Sequence, residues 1–214
     1  MGHRCQGETS EFTFELLAEV LRRAVRVRSH LSAFKRLTVG MARLFVAVWL
    51  PEEVSDAMTS LHRKDQRGTR FVPPAKWHIT LRFLGDEHPG EVIHALHGLD
   101  TAPARAVLGP AVDVLDQRAL VVPVSGLEAL AAEVSRRTRG LGSEPPRKRF
   151  FGHVTLARVK SNVAMPRTLG ALFADEFDVT EIALVQSRLD PSGARYETIE
   201  TWPVGTGAVE DWLR

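Results

Sequence analysis

Two short stretches place an imidazole two positions ahead of a hydroxyl: His78-Ile79-Thr80-Leu81 and His153-Val154-Thr155-Leu156. Around the first, Trp77, Ile79, Leu81 and Phe83 alternate with His78, Thr80 and Arg82; around the second, Val154 and Leu156 alternate with His153 and Thr155. Successive side chains of a strand point to opposite sides. Each stretch therefore reads as a β-strand with an apolar face for a core and a second face carrying groups a core has no use for. A lone His-x-Thr is a weak signal, because a histidine on a strand is often a satisfied half-buried residue. Two copies, each continued by Leu and standing 75 residues apart, outweigh that reading.

Such a pair suits proton transfer on both sides of one phosphorus atom. Opening a cyclic phosphodiester with water needs a base on the entering oxygen and an acid on the leaving one. Two imidazoles titrating near neutrality can hold those two states together. Hydroxyls at Thr80 and Thr155, on the same faces as the histidines, can stabilise charge on the phosphoryl oxygens. This chemistry requires no metal and no cofactor. Nothing in the spacing distinguishes the two histidines as acid or base.

Other residues are candidates to bind the substrate. Arg82 shares the His78 side of a regular strand and is a fair phosphate ligand, whereas Arg158 points away from the His153 side of its own. Arg147-Lys148-Arg149 precedes the second motif and could draw in phosphate, with Phe150 or Phe151 stacking on a base; a solvated loop with one core Phe is the competing reading. Tyr196 reads either as a cleft residue or as a buried structural tyrosine. His94 and His97 lie three apart on an expected helix, but no third ligand has zinc-like spacing. The chain has no Gly-Lys step for a Walker A loop and no Lys-x-Asp-Gly pattern of an ATP-dependent ligase.

The elements that must position these groups follow from the same patterning. Strands are predicted over 43–49, 69–72, 76–84, 106–115, 120–124, 148–159, 177–188 and 194–200, and helices over 51–64, 89–99, 126–141 and 166–174. Interleaved groups with several antiparallel neighbours argue for an α+β protein. The expected architecture is two pseudo-symmetric lobes of mainly antiparallel sheet with outer helices, facing across a central cleft.

Composition sets the outer limits. With 44% hydrophobic and 25% charged residues the chain is an ordinary globular one, and no apolar run approaches a membrane span. The N-terminus lacks the apolar core of a secretory signal, and Cys5, the only cysteine, excludes an intrachain disulfide and suits a reducing cytoplasm. The pI of about 9.0 invites a nucleic-acid reading. However, seven of the 28 Lys/Arg and four of the 26 Asp/Glu fall in residues 1–40, which leaves 41–214 at a formal charge of −1. Any basic site must be local. Residues 1–40 could form a basic amphipathic arm for RNA or a membrane surface; the favoured reading is a weakly docked extension upstream of a natural start at Met41. Residues 41–214 then make the working domain.

The two motifs, together with Arg43–Val48, Ser187-Arg188-Leu189 and Gly193-Ala194-Arg195-Tyr196, resemble the 2H phosphoesterases, and within them the RNA 2′,3′-cyclic phosphodiesterases, also described as 2′-5′ RNA ligases. Gly152 departs from the pattern, since members often carry Pro before the second His. The resemblance implies hydrolysis of RNA 2′,3′-cyclic phosphate ends to 2′-phosphomonoesters without a metal. It assigns His78 as proton donor, His153 as proton acceptor, and Thr80 and Thr155 to the phosphate. The implied partners are RNA ends or small cyclic nucleotides, with a monomer and no obligate protein partner. ADP-ribose cyclic phosphate or a 2′-5′ oligonucleotide is an alternative substrate, and an RNA-end-binding module without turnover is the alternative from another class.

Overall fold

The computed structural model describes residues 40–61, 63–64, 66–146, 149–190 and 193–205. The extension anticipated over 1–40 therefore lies outside the described residues save for Gly40. In the compact unit that begins at Met41, the strands are β1 (Ala42–Trp49), β2 (Thr69–Phe71), β3 (His78–Glu87), β4 (Ala104–Leu108), β5 (Asp113–Leu115), β6 (Ala119–Ser125), β7 (Gly152–Val159), β8 (Asp175–Val179), β9 (Glu181–Arg188) and β10 (Arg195–Pro203). The helices are α1 (Glu52–Thr59), α2 (Pro89–Leu96) and α3 (Glu128–Arg137).

The strands form one antiparallel sheet in the order β10-β9-β1-β3-β7-β6-β4-β8, with β2 beside β7 and β5 beside β6. Two halves are evident. β1, α1 and β3 in one correspond to β6, α3 and β7 in the other, each a pair of antiparallel neighbours with a helix between them in the chain. β3 and β7 meet at a single Cα pair, Ile79 with Val154, and β2 adds three pairs farther along β7. One residue, Thr180, separates β8 at one edge from β9 near the opposite edge. A sheet connected that way must curl.

The helices cover the same face. Val54 and Met58 of α1, Val92 and Leu96 of α2, and Leu130 and Val134 of α3 recur at three- to four-residue spacing, and all join one core with the inward residues of both halves. Among the latter are Leu44, Val46, Ile79, Leu120, Val154 and Leu156. The opposite face carries a smaller apolar cluster of Phe45, Ala47, Ala183 and Val185, edged by Trp49, Phe83 and Tyr196. No helix among the described residues is long and apolar enough to cross a membrane.

Several expected elements differ. The helix expected over 166–174 is a set of turns: Gly170 sits at φ +80° and donates its N–H to the Val112 carbonyl rather than back along its own segment. The run 106–115 splits into β4 and β5 around Gly109-Pro110, where proline has no N–H for a ladder. The run 177–188 splits at Thr180 into strands belonging to different halves. The helices α1, α2 and α3 are each shorter than their periodicity suggests.

Candidate active site

The site grows out of the seam. Antiparallel pairing of Ile79 with Val154 sets His78 opposite Thr155 and Thr80 opposite His153. Because Ile79 and Val154 are buried in the helix-covered core, all four motif side chains emerge on the other face. Directly opposed residues stand about 5 Å apart, and the two histidines, diagonal to one another, about 7–8 Å apart. That separation suits two imidazoles flanking one phosphate.

The two rings are held alike. Nδ1 of His78 donates to the carbonyl of Lys76 at 2.7 Å, and Nδ1 of His153 to that of Phe151 at 2.8 Å. A carbonyl can only accept, so each Nδ1 carries a proton and each Nε2 is the nitrogen left for chemistry. The 3₁₀ turn Pro74–Lys76, following Pro73, aims the first carbonyl.

Their surroundings break the symmetry. His78 sits among Phe45, Tyr196 and Trp49 at ring-centroid distances of 4.9, 5.2 and 5.5 Å. Trp49 is oriented by donating Nε1–H to Thr198 Oγ1 at 3.1 Å. Burial in this aromatic setting pushes the His78 imidazole below the usual histidine range; the Lys76 carbonyl opposes the shift, and positive charge at His153 and Arg158 adds to it. The His153 ring instead lies against the half-exposed Phe151, at 5.9 Å. Beside His78 a cavity of about 410 Å³ is lined by Trp49, Ala75, Lys76, Arg195 and Tyr196. A second, of about 300 Å³, is lined by Arg70, Arg158 and Lys160 with Gly68, Thr69 and Val159.

Residues 48–108, which contain the first motif, match the family model described as LigT like Phosphoesterase. The fold resembles TT0787 of Thermus thermophilus, with a TM-score of 0.66 and 32% identity over 75% of this chain and 97% of that one. It also resembles Escherichia coli LigT complexed with 3′-AMP, with a TM-score of 0.62 and 24% identity over 77% and 98% of the two chains. The RNA 2′,3′-cyclic phosphodiesterase of T. thermophilus is 37% identical over 184 residues, 74% of this chain and 88% of the relative. The corresponding protein of Aquifex aeolicus is 30% identical over 64% and 82% of the two chains. The chain belongs to the RNA 2′,3′-cyclic phosphodiesterase family.

For this member of the RNA 2′,3′-cyclic phosphodiesterase family, the structure brings His78, Thr80, His153 and Thr155 together and puts Tyr196 and Phe151 at the two ends of the group. Three sequence expectations need correction. Arg82 is not on the His78 side. The β1–β3 register pairs Ala47 with Thr80 and Val46 with Arg82, so Leu81 is an extra residue, a β-bulge. The bulge carries Arg82 to the core face, where it is 4% exposed. There its guanidinium donates to the carbonyls of Ser135, Thr138 and Leu141 and to the Thr138 hydroxyl, satisfying the end of α3.

The second motif has the matching bulge. Val121 pairs with Thr155 and Leu120 with Ala157, leaving Leu156 extra. Ala157 thereby takes the inward position and Arg158 returns to the His153 face, opposite to the regular-strand expectation. Phe150 packs against the helix-covered core, close beneath Gly152, so it is the structural phenylalanine of its pair. Arg149 is exposed just before β7; Arg147 and Lys148 lie outside the described residues. Sequence reasoning missed Phe45 and Trp49, although their odd-numbered spacing along β1 places them on one face. It also missed Arg70, for which a three-residue strand gives no readable alternation.

Proposed function

We propose that the chain hydrolyses RNA 2′,3′-cyclic phosphate ends to 2′-phosphomonoesters by metal-independent acid–base catalysis between His78 and His153. The carrying observation is the pair of imidazoles, each with Nδ1 tied to the carbonyl two residues earlier, set diagonally across one strand pair. His153 Nε2 takes a proton from water as its oxygen attacks phosphorus. The P–O3′ bond breaks, and His78 Nε2–H protonates O3′, leaving a 2′-phosphate and a 3′-hydroxyl. Solvent then resets both rings. Thr80 and Thr155 hold phosphoryl oxygens. A 5′-hydroxyl in place of the water would join two RNA ends by a 2′-5′ linkage without ATP.

The surroundings support this division of roles. His78 borders the cavity between Trp49 and Tyr196, a stacking site for the base, which puts the ribose and its leaving oxygen on the His78 side. His153 stands on the more open side, where water arrives. The donors needed to complete the group all come from one chain, consistent with a monomer.

Incubation of a 2′,3′-cyclic nucleotide with the protein and EDTA tests the reading. The expected product is the 2′-phosphate; a 3′-phosphate would reverse the leaving group, and tight binding without product would make the protein an RNA-end-binding module.

The pH dependence carries a sign. The step needs His78 protonated and His153 neutral, so kcat/KM should be bell-shaped in pH. Burial lowers the His78 pKa, so the limb that reports His78 should lie below about 6.5, the ordinary histidine value. Arg158→Gln removes one of the charges lowering His78, so that limb should move upward. A limb that stays put on this substitution would detach it from His78.

A further inference from the structure

The cavity beside His78 has two sides that belong to different parts of the sheet. Trp49, at the end of β1, and Ala75 and Lys76, in the 3₁₀ turn ahead of β3, line one of them; Arg195 and Tyr196, at the start of β10, line the other. In the sheet, β9 and β1 lie between β10 and β3. Two side-chain hydrogen bonds cross from one side to the other. Trp49 Nε1–H donates to Thr198 Oγ1 at 3.1 Å. The Lys76 ammonium donates to the Ala194 carbonyl at 2.7 Å, across 118 positions of the chain.

The second bond acts where the sheet is weakest. β10 is an edge strand with β9 as its neighbour, and its pairing begins at Arg195 opposite Arg188. Ala194 stands one residue before that first pair, at an end that is paired from one side at most and so opens readily. Tyr196, two residues after Ala194, meets His78 edge-on at 5.2 Å and 84°, and Phe45 at 5.3 Å and 77°. An outward swing of the start of β10 would carry Tyr196 off the His78 ring and open the cavity. Lys76 can oppose that swing because its own backbone is fixed. Its N–H donates to the Pro73 carbonyl, and the N–H of buried Trp77 donates to the Pro74 carbonyl, both at 2.9 Å. A bond from an ammonium to a carbonyl is also stronger than a neutral one. On the same connection the Arg70 guanidinium lies against Gly193, with no room for a Cβ between them. The connection thus keeps a second contact when Lys76 is changed, and a variant there tests position.

We propose that the Lys76 side chain is a positioning residue for base recognition: its tie to Ala194 holds the β10 wall of the cavity against the wall formed by Trp49 and the 3₁₀ turn, so that the enzyme favours a cyclic phosphate carrying a nucleobase over one without it. This rests on the hydrolase reading above, with the base between Trp49 and Tyr196. The Lys76 carbonyl that holds Nδ1 of His78 belongs to the backbone and survives replacement of the side chain. Loss of the ammonium therefore weighs far more on substrates with a base than on those lacking one.

The test compares kcat/KM for adenosine 2′,3′-cyclic phosphate with that for methyl ribofuranoside 2′,3′-cyclic phosphate, which keeps the ribose and the reacting ester and lacks the base. In the unaltered protein the nucleoside substrate should be favoured about tenfold or more, the gain expected from stacking one base. In Lys76→Met, similar in length and without the ammonium, that ratio should fall about fivefold or more, the loss of one charge-assisted hydrogen bond, and through KM rather than kcat. In Lys76→Arg, which keeps a charged donor, most of the ratio should remain. Equal rates for the two substrates in the unaltered protein, or a ratio that Lys76→Met leaves undiminished, would overturn the tie. An equal loss with both substrates would overturn it too, because general loosening of the fold treats them alike. Calorimetric binding of adenosine 2′-phosphate against methyl ribofuranoside 2′-phosphate makes the same comparison without turnover. Failure to hydrolyse either substrate, with the binding ratio still narrowed by Lys76→Met, would count against the hydrolase reading and not against the tie.

Discussion

His78→Ala and His153→Ala should each lower kcat by about 10²- to 10⁴-fold, the range supplied by a positioned general acid or base, while leaving the fold intact. Both rings sit outside the helix-covered core, although His78→Ala also gives up the ring contacts with Phe45, Trp49 and Tyr196. The double variant should lose far less than the product of the two single losses, because acid and base act in one concerted event. The leaving group separates their roles. A substrate with sulfur replacing O3′ in the cyclic ester expels a thiolate that needs no proton, so it should restore much of the rate to His78→Ala and little to His153→Ala. Restoration in His153→Ala instead would exchange donor and acceptor. Near-normal turnover of the ordinary substrate by both variants would end the catalytic assignment.

Arg82→Met should do the reverse: destabilise strongly and leave the chemistry of the folded fraction intact. Arg82 is nearly inaccessible and its guanidinium satisfies carbonyls at and beyond the end of α3. Removing it takes this donor from the Ser135 and Leu141 carbonyls, while the Thr138 carbonyl keeps the Leu141 N–H; at about 1–3 kcal/mol for each buried acceptor the cost is roughly 3–5 kcal/mol. Against a total stability of roughly 5–15 kcal/mol that is a large share. For a domain of this size it corresponds to about 6–12 °C or more in Tm. Arg82→Lys should recover only part, since an ammonium cannot reproduce the forked geometry toward several carbonyls. Denaturant unfolding together with kcat per folded molecule checks this. A variant that unfolds normally but loses turnover would return Arg82 to the substrate.

The contrast between Arg82 and Arg158 explains where sequence reading stopped. Alternation along a strand assumes one residue per position, and on that assumption Arg82 shares a face with His78 while Arg158 opposes His153. A bulge at Leu81 and another at Leu156 invert both relationships. Both bulged residues are buried leucines that look like ordinary core positions. The pattern holds from each His to its Thr, which is why the reacting groups were legible, and fails one residue later, which is why their neighbours were not. The duplicated strand-helix-strand halves were legible because each motif sits in a comparable setting. Other features depended on contacts no local pattern encodes. Residues 166–174 have helix-compatible spacing, yet Gly170 finds its acceptor at Val112. Phe150 and Phe151 are adjacent and chemically identical, and only the close approach of Gly152 to β6 decides which turns inward.

The single Cα pair between Ile79 and Val154 has a geometric consequence. His78 and His153 each lie one residue from it, so their spacing is set by one cross-strand step and not by the length or curvature of either half. The joint itself is carried elsewhere: by the shared core, by β2 along β7, and by Arg82 reaching the end of α3. Substitutions far out in either half can therefore change stability while the distance between the two imidazoles stays as it is.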